Sequence, residues 1–395
     1  ATLHHDHSGH GFIYIKGAPE QVLDMCRLQR QSGEDIALNR THWETCMNSV
    51  AGRGPRLLAI AFKAVPGTQT GLSFNDVNAG LITLLGMVGI IDPPRDEATA
   101  AVKRCQDAGI RVKMITGDHA ITARAIAAQM GIGDNISVVT GLEIERYTSD
   151  ELQQVAAHSS VFARVSPEQK LQLVTALQAN GEVVAMTGDG VNDAPALKRA
   201  DVGVAMGIKG AEVAKEAAEM VLADDNFASI ARAVEEGRTV YDNLKKSIMF
   251  ILPTNGGEAF IIIAAIIMGS VLPITPAQIL WVNMVSSVAL AMSLAFEPAE
   301  PDVMQRPPRP AAEKLLNGLL VRRIVLVSTL FLGGIFAMFS WAISRGYRLE
   351  LARTLAVNTL VVMEVFYLFA VRYLDGPSIT LRGVMGTPVV WVSVV

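Results

Sequence analysis

Two different rhythms of apolar residues divide this chain. Up to about residue 246, short apolar runs of three to eight residues alternate with longer stretches whose apolar positions recur every three or four residues. That is the pattern of buried strands alternating with amphipathic helices, which predicts an α/β fold with parallel strands. From residue 247 the runs lengthen to about 20 residues, enough at 1.5 Å per residue to cross a hydrocarbon core of ~30 Å. Four spans are predicted: Ser247 to Val271, Ile279 to Phe296, Ile324 to Ile343 and Leu351 to Val371.

Within the first part the pattern predicts a hairpin over residues 1–20, turning at Ser8 and Gly9, then a helix begun by Pro19 and running to about Gln29. Another helix follows over residues 41–50 and a strand from Gly54 to Lys63, with Arg56 at its entrance. The apolar stretch Leu81 to Ile91 ends in DPPR, Asp92 to Arg95, where two prolines stop a strand and a helix begins. A strand from Arg111 to Ile115 then leads through the turn Thr116, Gly117, Asp118 into a helix from Ala120 to Met130, closed by Gly131. A second unit joins the strand Val161 to Ala163, through Arg164, to a helix carrying Lys170. It leads to VVAMTGDGVNDAPALKR, Val183 to Arg199: a buried strand from Val183 to Met186, a turn from Thr187 to Gly190, and a helix opened by Asn192 and Asp193. Strands at Val202 to Ala205 and Met220 to Leu222 complete a doubly wound sheet, and the helix from Phe227 has no stop signal before the first span.

Composition sharpens the division. Half of the 395 residues are hydrophobic and the net charge is -4 without a basic run, which argues against a nucleic-acid partner. The three cysteines, Cys26, Cys46 and Cys105, form no CxxC pair, so neither a disulfide framework nor a thiolate metal site is expected. His4, His5, His7 and His10 crowd the first turn, where exposed polar residues need no ligand to exist. The loop from Glu297 to Arg323 carries Arg306, Arg309, Lys314, Arg322 and Arg323, and with Lys245 and Lys246 it puts that side of the membrane in the cytosol. The chain starts in mid-strand without Met and ends in an apolar run too short to cross, so it is expected to be a fragment at both ends.

The chemistry gathers at strand ends, where α/β sheets bind their ligands. Asp189 and Asp193 are hard oxygen ligands suited to Mg2+, which also holds phosphate. Thr116, Gly117 and Asp118 precede a helix whose amides point to the same place, an anion-holding corner, and the Lys170 ammonium can neutralise a transferring phosphoryl group. In the spans, Glu258 and Glu364 are acids at membrane depth, each costing on the order of 2 to 3 kcal/mol unless it serves an ion path. Pro253, Gly256 and Gly257 loosen the helix between Asn255 and Glu258, and Asn283, Ser286 and Ser287 recur at helical spacing in the second span.

TGDGVNDAPALK closely resembles the hinge signature of the P-type ATPases, cation pumps whose phosphorylation domain has the haloacid-dehalogenase fold. KGAPE, Lys16 to Glu20, resembles the nucleotide-binding domain of these pumps. The resemblance implies that Lys16, Gly17, Arg56, Arg95 and Arg164 bind ATP, that Thr116, Gly117, Asp118, Lys170, Asn192 and Asp193 serve phosphoryl transfer, and that Asp189 holds Mg2+. The spans resemble those of type II pumps, the calcium and sodium/potassium pumps among them. WVN followed by RPPR fits that pattern, and Asn255, Glu258, Asn283, Ser286, Ser287 and Glu364 are then the transported-ion ligands. Ser287 stands where the calcium-pump pattern has Asp, which removes a charge that would touch two ions. One divalent or one or two monovalent ions are expected.

The implied organisation is part of a nucleotide-binding domain over residues 1–80, a phosphorylation domain over 81–240, and a transmembrane domain over 241–395. The catalytic domains are cytoplasmic and the membrane is expected to be the plasma membrane. The phosphorylated aspartate of a DKTGT segment is not among these residues, so an N-terminal part of the same chain is an implied partner. The competing reading is a phosphohydrolase of the same fold, anchored by its spans; KGAPE and the intramembrane acids favour the pump.

Overall fold

The computed structural model describes residues 1–51, 55–78, 81–90, 93–133, 137–310, 313, 315–316, 318–373 and 387–394; Gly54, Asp92 and Lys314 lie outside them. The backbone divides into two compact units, Ala1–Ala231 and Arg232–Val395.

The first unit opens with the expected hairpin, β1 (Thr2–His5) and β2 (Gly11–Gly17). The helix begun by Pro19 is shorter than its apolar pattern predicts: α1 (Pro19–Met25) ends where the Cys26 amide bonds back to Val22 and Leu23. The next residues form β3 (Leu28–Gln31) and β4 (Glu34–Ala37), joined through Ser32 at φ 52° and Gly33 at φ 92°. Two successive left-handed residues make a hairpin turn that matches the twist of its strands. α2 (Arg40–Ala51), β5 (Arg56–Val65), α3 (Phe74–Asn78) and β6 (Thr83–Ile90) follow. The sheet has the order β1-β2-β5-β6-β3-β4 and covers a core of Ile13, Val22, Leu23, Ala59, Ile82 and Leu84. The division expected at residue 80 falls before β6, which pairs with β5 and β3 in this sheet.

After α4 (Asp96–Asp107) the strands run parallel. β7 is confined to Met114–Ile115, shorter than the predicted Arg111 to Ile115, because only these residues find partners on the neighbouring strand. α5 (Ala120–Met130) is closed by Gly131 in the left-handed conformation at φ 69°, as its position predicts. β8 (Val138–Thr140), α6 (Gly141–Ile144), α7 (Ser149–His158), β9 (Val161–Ala163) and α8 (Pro167–Ala179) complete one half. Thr148 and Ser166 begin α7 and α8 with reciprocal caps to Glu151 and Gln169. The other half holds β10 (Ala185–Gly188), α9 (Ala194–Arg199), β11 (Val202–Met206), α10 (Glu212–Ala217) and β12 (Met220–Leu222). β10 starts two residues later than predicted, because the ladder with β11 begins at the Ala185–Val202 pair. The fold is the expected haloacid-dehalogenase-like α/β class, with its parallel strands in two three-stranded sheets, β7-β9-β8 and β10-β11-β12.

The second unit is helical. α11 (Phe227–Ile267) is one helix of 41 residues. The span after it is α12 (Pro276–Val282), a wide π-type turn over Asn283–Ser287, and α13 (Val288–Ser293). α14 (Gly318–Ser344), α15 (Leu349–Val371) and the short α16 (Pro388–Val394) complete it. Among the described residues four helical stretches are long and apolar enough to cross a membrane, as predicted. The expected break in the first span does not occur: α11 stays helical through Pro253, Gly256 and Gly257, and the irregular backbone lies in the second span instead. A proline costs one helical hydrogen bond and a bend, which neighbouring helices can absorb, whereas a π-type turn inserts a residue and redirects side chains.

Two of the basic residues that bear on orientation are paired with acids. Lys246 meets Glu300 at 2.8 Å with both side chains buried, and Arg306 meets Asp242 at 2.8 Å. Buried Arg372 donates to both oxygens of Glu297, at 2.8 and 3.1 Å.

Candidate functional site

The Gly188–Asp193 turn is folded around one carboxylate. Asp193 Oδ1 takes the Lys170 ammonium at 2.6 Å, and Oδ2 accepts the amides of Asp189 and Gly190 at 3.3 and 3.1 Å. Gly188 is required here, since a Cβ at that position would lie 2.5 Å from the Asp193 Cβ. Asp193 is thus buried and committed to the protein. Asp189 is exposed, and among the described residues its carboxylate accepts no hydrogen bond. A carboxylate of this kind suits Mg2+, which takes one or two protein carboxylates and keeps water or phosphate in its other positions. Asn192 is exposed in the one-turn helix Val191–Asp193 that precedes α9.

The second corner is built by the backbone. The Thr116 hydroxyl accepts the Asp118 amide at 3.1 Å, and the carbonyls of Thr116 and Asp118 accept the amides of Val165 and Arg164 at 3.2 and 3.1 Å. Arg164 adopts a left-handed φ of 55°, unusual for a side chain of its size, and so turns the β9 loop onto this corner.

Sequence reasoning missed two residues that join the corner to the KGAPE turn. Glu20 accepts from Arg164 at 3.0 Å and lies 3.3 Å from His119 Nε2, while His119 Nδ1 accepts the Ile121 amide at the start of α5. A cavity of about 140 Å3, lined by Pro19, Glu20, Leu57, Asp118, His119 and Arg164 among others, lies between these turns. The only sequence signal was the histidine after TGD, at a capping position. Lys16 and Gly17 pair with Ile60 and Ala59 on β5. Arg56 starts the same strand, four residues or about 13 Å along it, and its side chain lies outside the described residues. Lys16 and Arg95 are exposed, Arg95 preceding α4. The four histidines are not brought together: His10 bonds Asp6, His4 bonds Thr2, and among the described residues no group of three His, Cys, Asp or Glu could hold a metal.

In the second unit both acids are buried and held by neutral donors. Asn283 donates to Glu258 Oε2 at 2.8 Å, while Glu258 Oε1 has no hydrogen-bond partner among the described residues. The Ser287 hydroxyl donates to Glu364 Oε1 at 3.0 Å. Asn283 and Ser287 stand at the two ends of the π-type turn, and each bonds an acid on a different helix, Glu258 of α11 and Glu364 of α15. Asn255 is exposed and bonds neither acid, so the structure does not bring it into this set. The side chain of Ser286 lies outside the described residues.

The chain thus joins a loop-built corner on parallel α/β sheets to acids buried in membrane-length helices. Residues 271–395 match the family described as cation transporting ATPase, C-terminus, and residues 20–201 and 169–234 match haloacid dehalogenase-like hydrolases. A probable cation-transporting ATPase of Mycobacterium tuberculosis is 51% identical over 95% of this chain and 42% of its own length. A cation-transporting ATPase of Synechocystis is 50% identical over 95% of this chain and 41% of its own. A calcium-transporting ATPase of Bacillus subtilis is 40% identical over 91% of this chain and 41% of its own. The chain belongs to the P-type cation-transporting ATPases, and it spans about two fifths of the length of these relatives.

Proposed function

We propose that this chain serves ATP-driven cation transport across a membrane through a phosphoenzyme cycle. The observation that carries the reading is the pair of buried carboxylates, Glu258 and Glu364, each fixed by a neutral amide or hydroxyl. A carboxylate held at membrane depth is costly and marks an ion path, and the amide or hydroxyl beside each acid orients it. A span that only anchors a phosphohydrolase has no use for such a pair.

In this reading Lys16, Gly17, Arg56, Arg95 and Arg164 hold ATP, and Lys170, Thr116, Gly117, Asp118, Asn192 and Asp193 order the phosphoryl corner. Asp189 holds Mg2+, which when bound offsets the charge of the transferring phosphoryl group. β7 and β10 are each paired on one side only among the described residues, and Ile115 packs against the apolar clusters of both halves. A parallel strand between them would bring a phosphorylatable aspartate to this corner. The catalytic unit then faces the cytosol and the membrane is the plasma membrane.

Two carboxylates balance one divalent ion. Relatives named as calcium-transporting support Ca2+; the second reading, one or two monovalent ions, is favoured by Ser287, which contributes a dipole to Glu364 where the calcium-pump pattern has an acid. Uptake of radioactive Ca2+ or Na+ by vesicles holding the full-length protein tests the proposal. ATP-dependent uptake that Glu258→Gln abolishes is expected; ATP hydrolysis with no cation dependence would overturn it in favour of the anchored hydrolase.

A further inference from the structure

We propose that Tyr367 is a positioning residue for the membrane carboxylates, acting on α11 at the hydrogen bond that Pro253 removes. The inference rests on the reading of Glu258 and Glu364 as cation ligands. Pro253 has no amide hydrogen, so the carbonyl of Met249, one turn earlier, loses its helical partner. Inside a bilayer a freed carbonyl has to be satisfied by a neighbouring helix. Tyr367 does this from α15: its hydroxyl donates to the Met249 carbonyl at 2.7 Å, and both groups are buried. The ring is fixed by stacking on Phe250, with centroids 6.0 Å apart, and by the edge of Phe331 at 6.2 Å. The Ser328 hydroxyl of α14 donates to the carbonyl of Pro253 itself at 2.8 Å.

The turn Met249–Pro253 is therefore tied to α15 at one end and to α14 at the other. Close approach of α14 depends on small residues, since a Cβ on Gly256 would lie 2.5 Å from Ser328 Oγ and one on Gly257 2.8 Å from Phe331 Cβ. Tyr367 lies one turn beyond Glu364 on the same face of α15. Glu258 follows Pro253 by little more than one turn of α11. The Tyr367 hydroxyl thus links the helix that carries one acid to the proline turn that precedes the other. Hard cations bind oxygen ligands within about 2.3 to 2.6 Å, so a small change in this turn changes affinity.

The test uses full-length protein in vesicles, with ATPase activity titrated separately with Ca2+, Na+ and K+. Tyr367→Phe keeps the ring, its packing and the Arg323 guanidinium 5.7 Å from its centroid, and removes the hydroxyl that bonds Met249 and Arg323. Arg323→Gln, which spares the bond to Met249, should leave half-activation within about twofold of wild type. For the cation that stimulates the wild type, half-activation should rise by about tenfold, with phosphorylation by inorganic phosphate within about twofold of wild type. Ser328→Ala, which removes the other donor to this turn, should shift half-activation in the same direction. In a Pro253→Ala background the Met249 carbonyl regains an amide partner, and adding Tyr367→Phe should then change half-activation by less than about twofold. An unshifted Tyr367→Phe, or an equal shift in both backgrounds, would show that Tyr367 only packs. Glu258→Gln separates the two readings: if it abolishes activation while Tyr367→Phe leaves it unchanged, the positioning role alone is wrong. If Glu258→Gln leaves activation intact, the ligand reading is wrong and the positioning role with it.

Discussion

The two charged sites of this chain handle their carboxylates in opposite ways. At the phosphoryl corner Asp193 is matched by a cation, Lys170, and by two backbone amides, so its charge is spent on holding the turn. In the membrane unit Glu258 accepts from the Asn283 amide and Glu364 from the Ser287 hydroxyl. The first arrangement stabilises a rigid frame around a neighbouring acid, Asp189, that stays exposed. The second holds two acids inside low dielectric, at a cost that cation binding, as proposed above, would offset.

The difference predicts unequal responses to substitution. The largest effect is expected from Asp189→Asn in the full-length protein, which should still bind ATP but lose on the order of a hundredfold or more of its acid-stable phosphoenzyme. Unchanged phosphoenzyme and unchanged Mg2+ dependence would remove Asp189 from the metal site. Next comes Ser287→Asp, which adds an acid beside Glu364 and should raise divalent-cation affinity by about tenfold; cation titration of ATPase activity reads it. A fall in affinity would mean that the extra charge repels Glu364 more than it attracts the ion. Substituting Lys16 or Arg56 by Ala should weaken ATP binding several-fold, on the order of 1 kcal/mol, and spare phosphorylation by inorganic phosphate, which needs no adenosine. Equal loss of both would move these residues out of the nucleotide site.

The smallest effect concerns Asp201, whose carboxylate accepts the Val184 amide at 2.8 Å and is held below its usual pKa by that bond. Its contribution is therefore present above the ordinary aspartate range, about pH 4, and is lost as pH falls through the lowered native value. As the group is exposed, Asp201→Asn should cost under about 1 kcal/mol near neutral pH. Hydrogen exchange at the Val184 amide reads it, and protection unaltered by the substitution would contradict the assignment.

The same contrast explains how much could be read from the sequence. At the phosphoryl corner the chemistry is local: Gly188, Asp189 and Asp193 share one turn, and Gly131 marks its helix end, because strand-to-helix turns need particular residue types. α1 was read too long because Leu28 and Gln29 continue an apolar helical pattern, and only their pairing with Thr83 and Leu84, more than 50 residues later, makes them a strand. In the membrane unit the acids were legible from their cost in lipid, but their partners were not, since Ser287 and Glu364 are 77 residues apart. The resemblance to type II pumps groups Asn255 with Glu258, yet the bundle buries Glu258 and leaves Asn255 exposed. Proline and glycine pointed to a break in α11, whereas the irregular turn formed at Asn283–Ser287, where no proline or glycine announces it.

The most direct test of cation-coupled phosphoryl transfer is a comparison of two phosphorylation routes in wild-type and Glu258→Gln full-length protein. Phosphoenzyme formed from ATP should depend on the transported cation in the wild type and be lost in Glu258→Gln, while phosphoenzyme formed from inorganic phosphate should be retained in both. Equal phosphorylation from ATP in the two proteins, independent of any cation, would contradict the account.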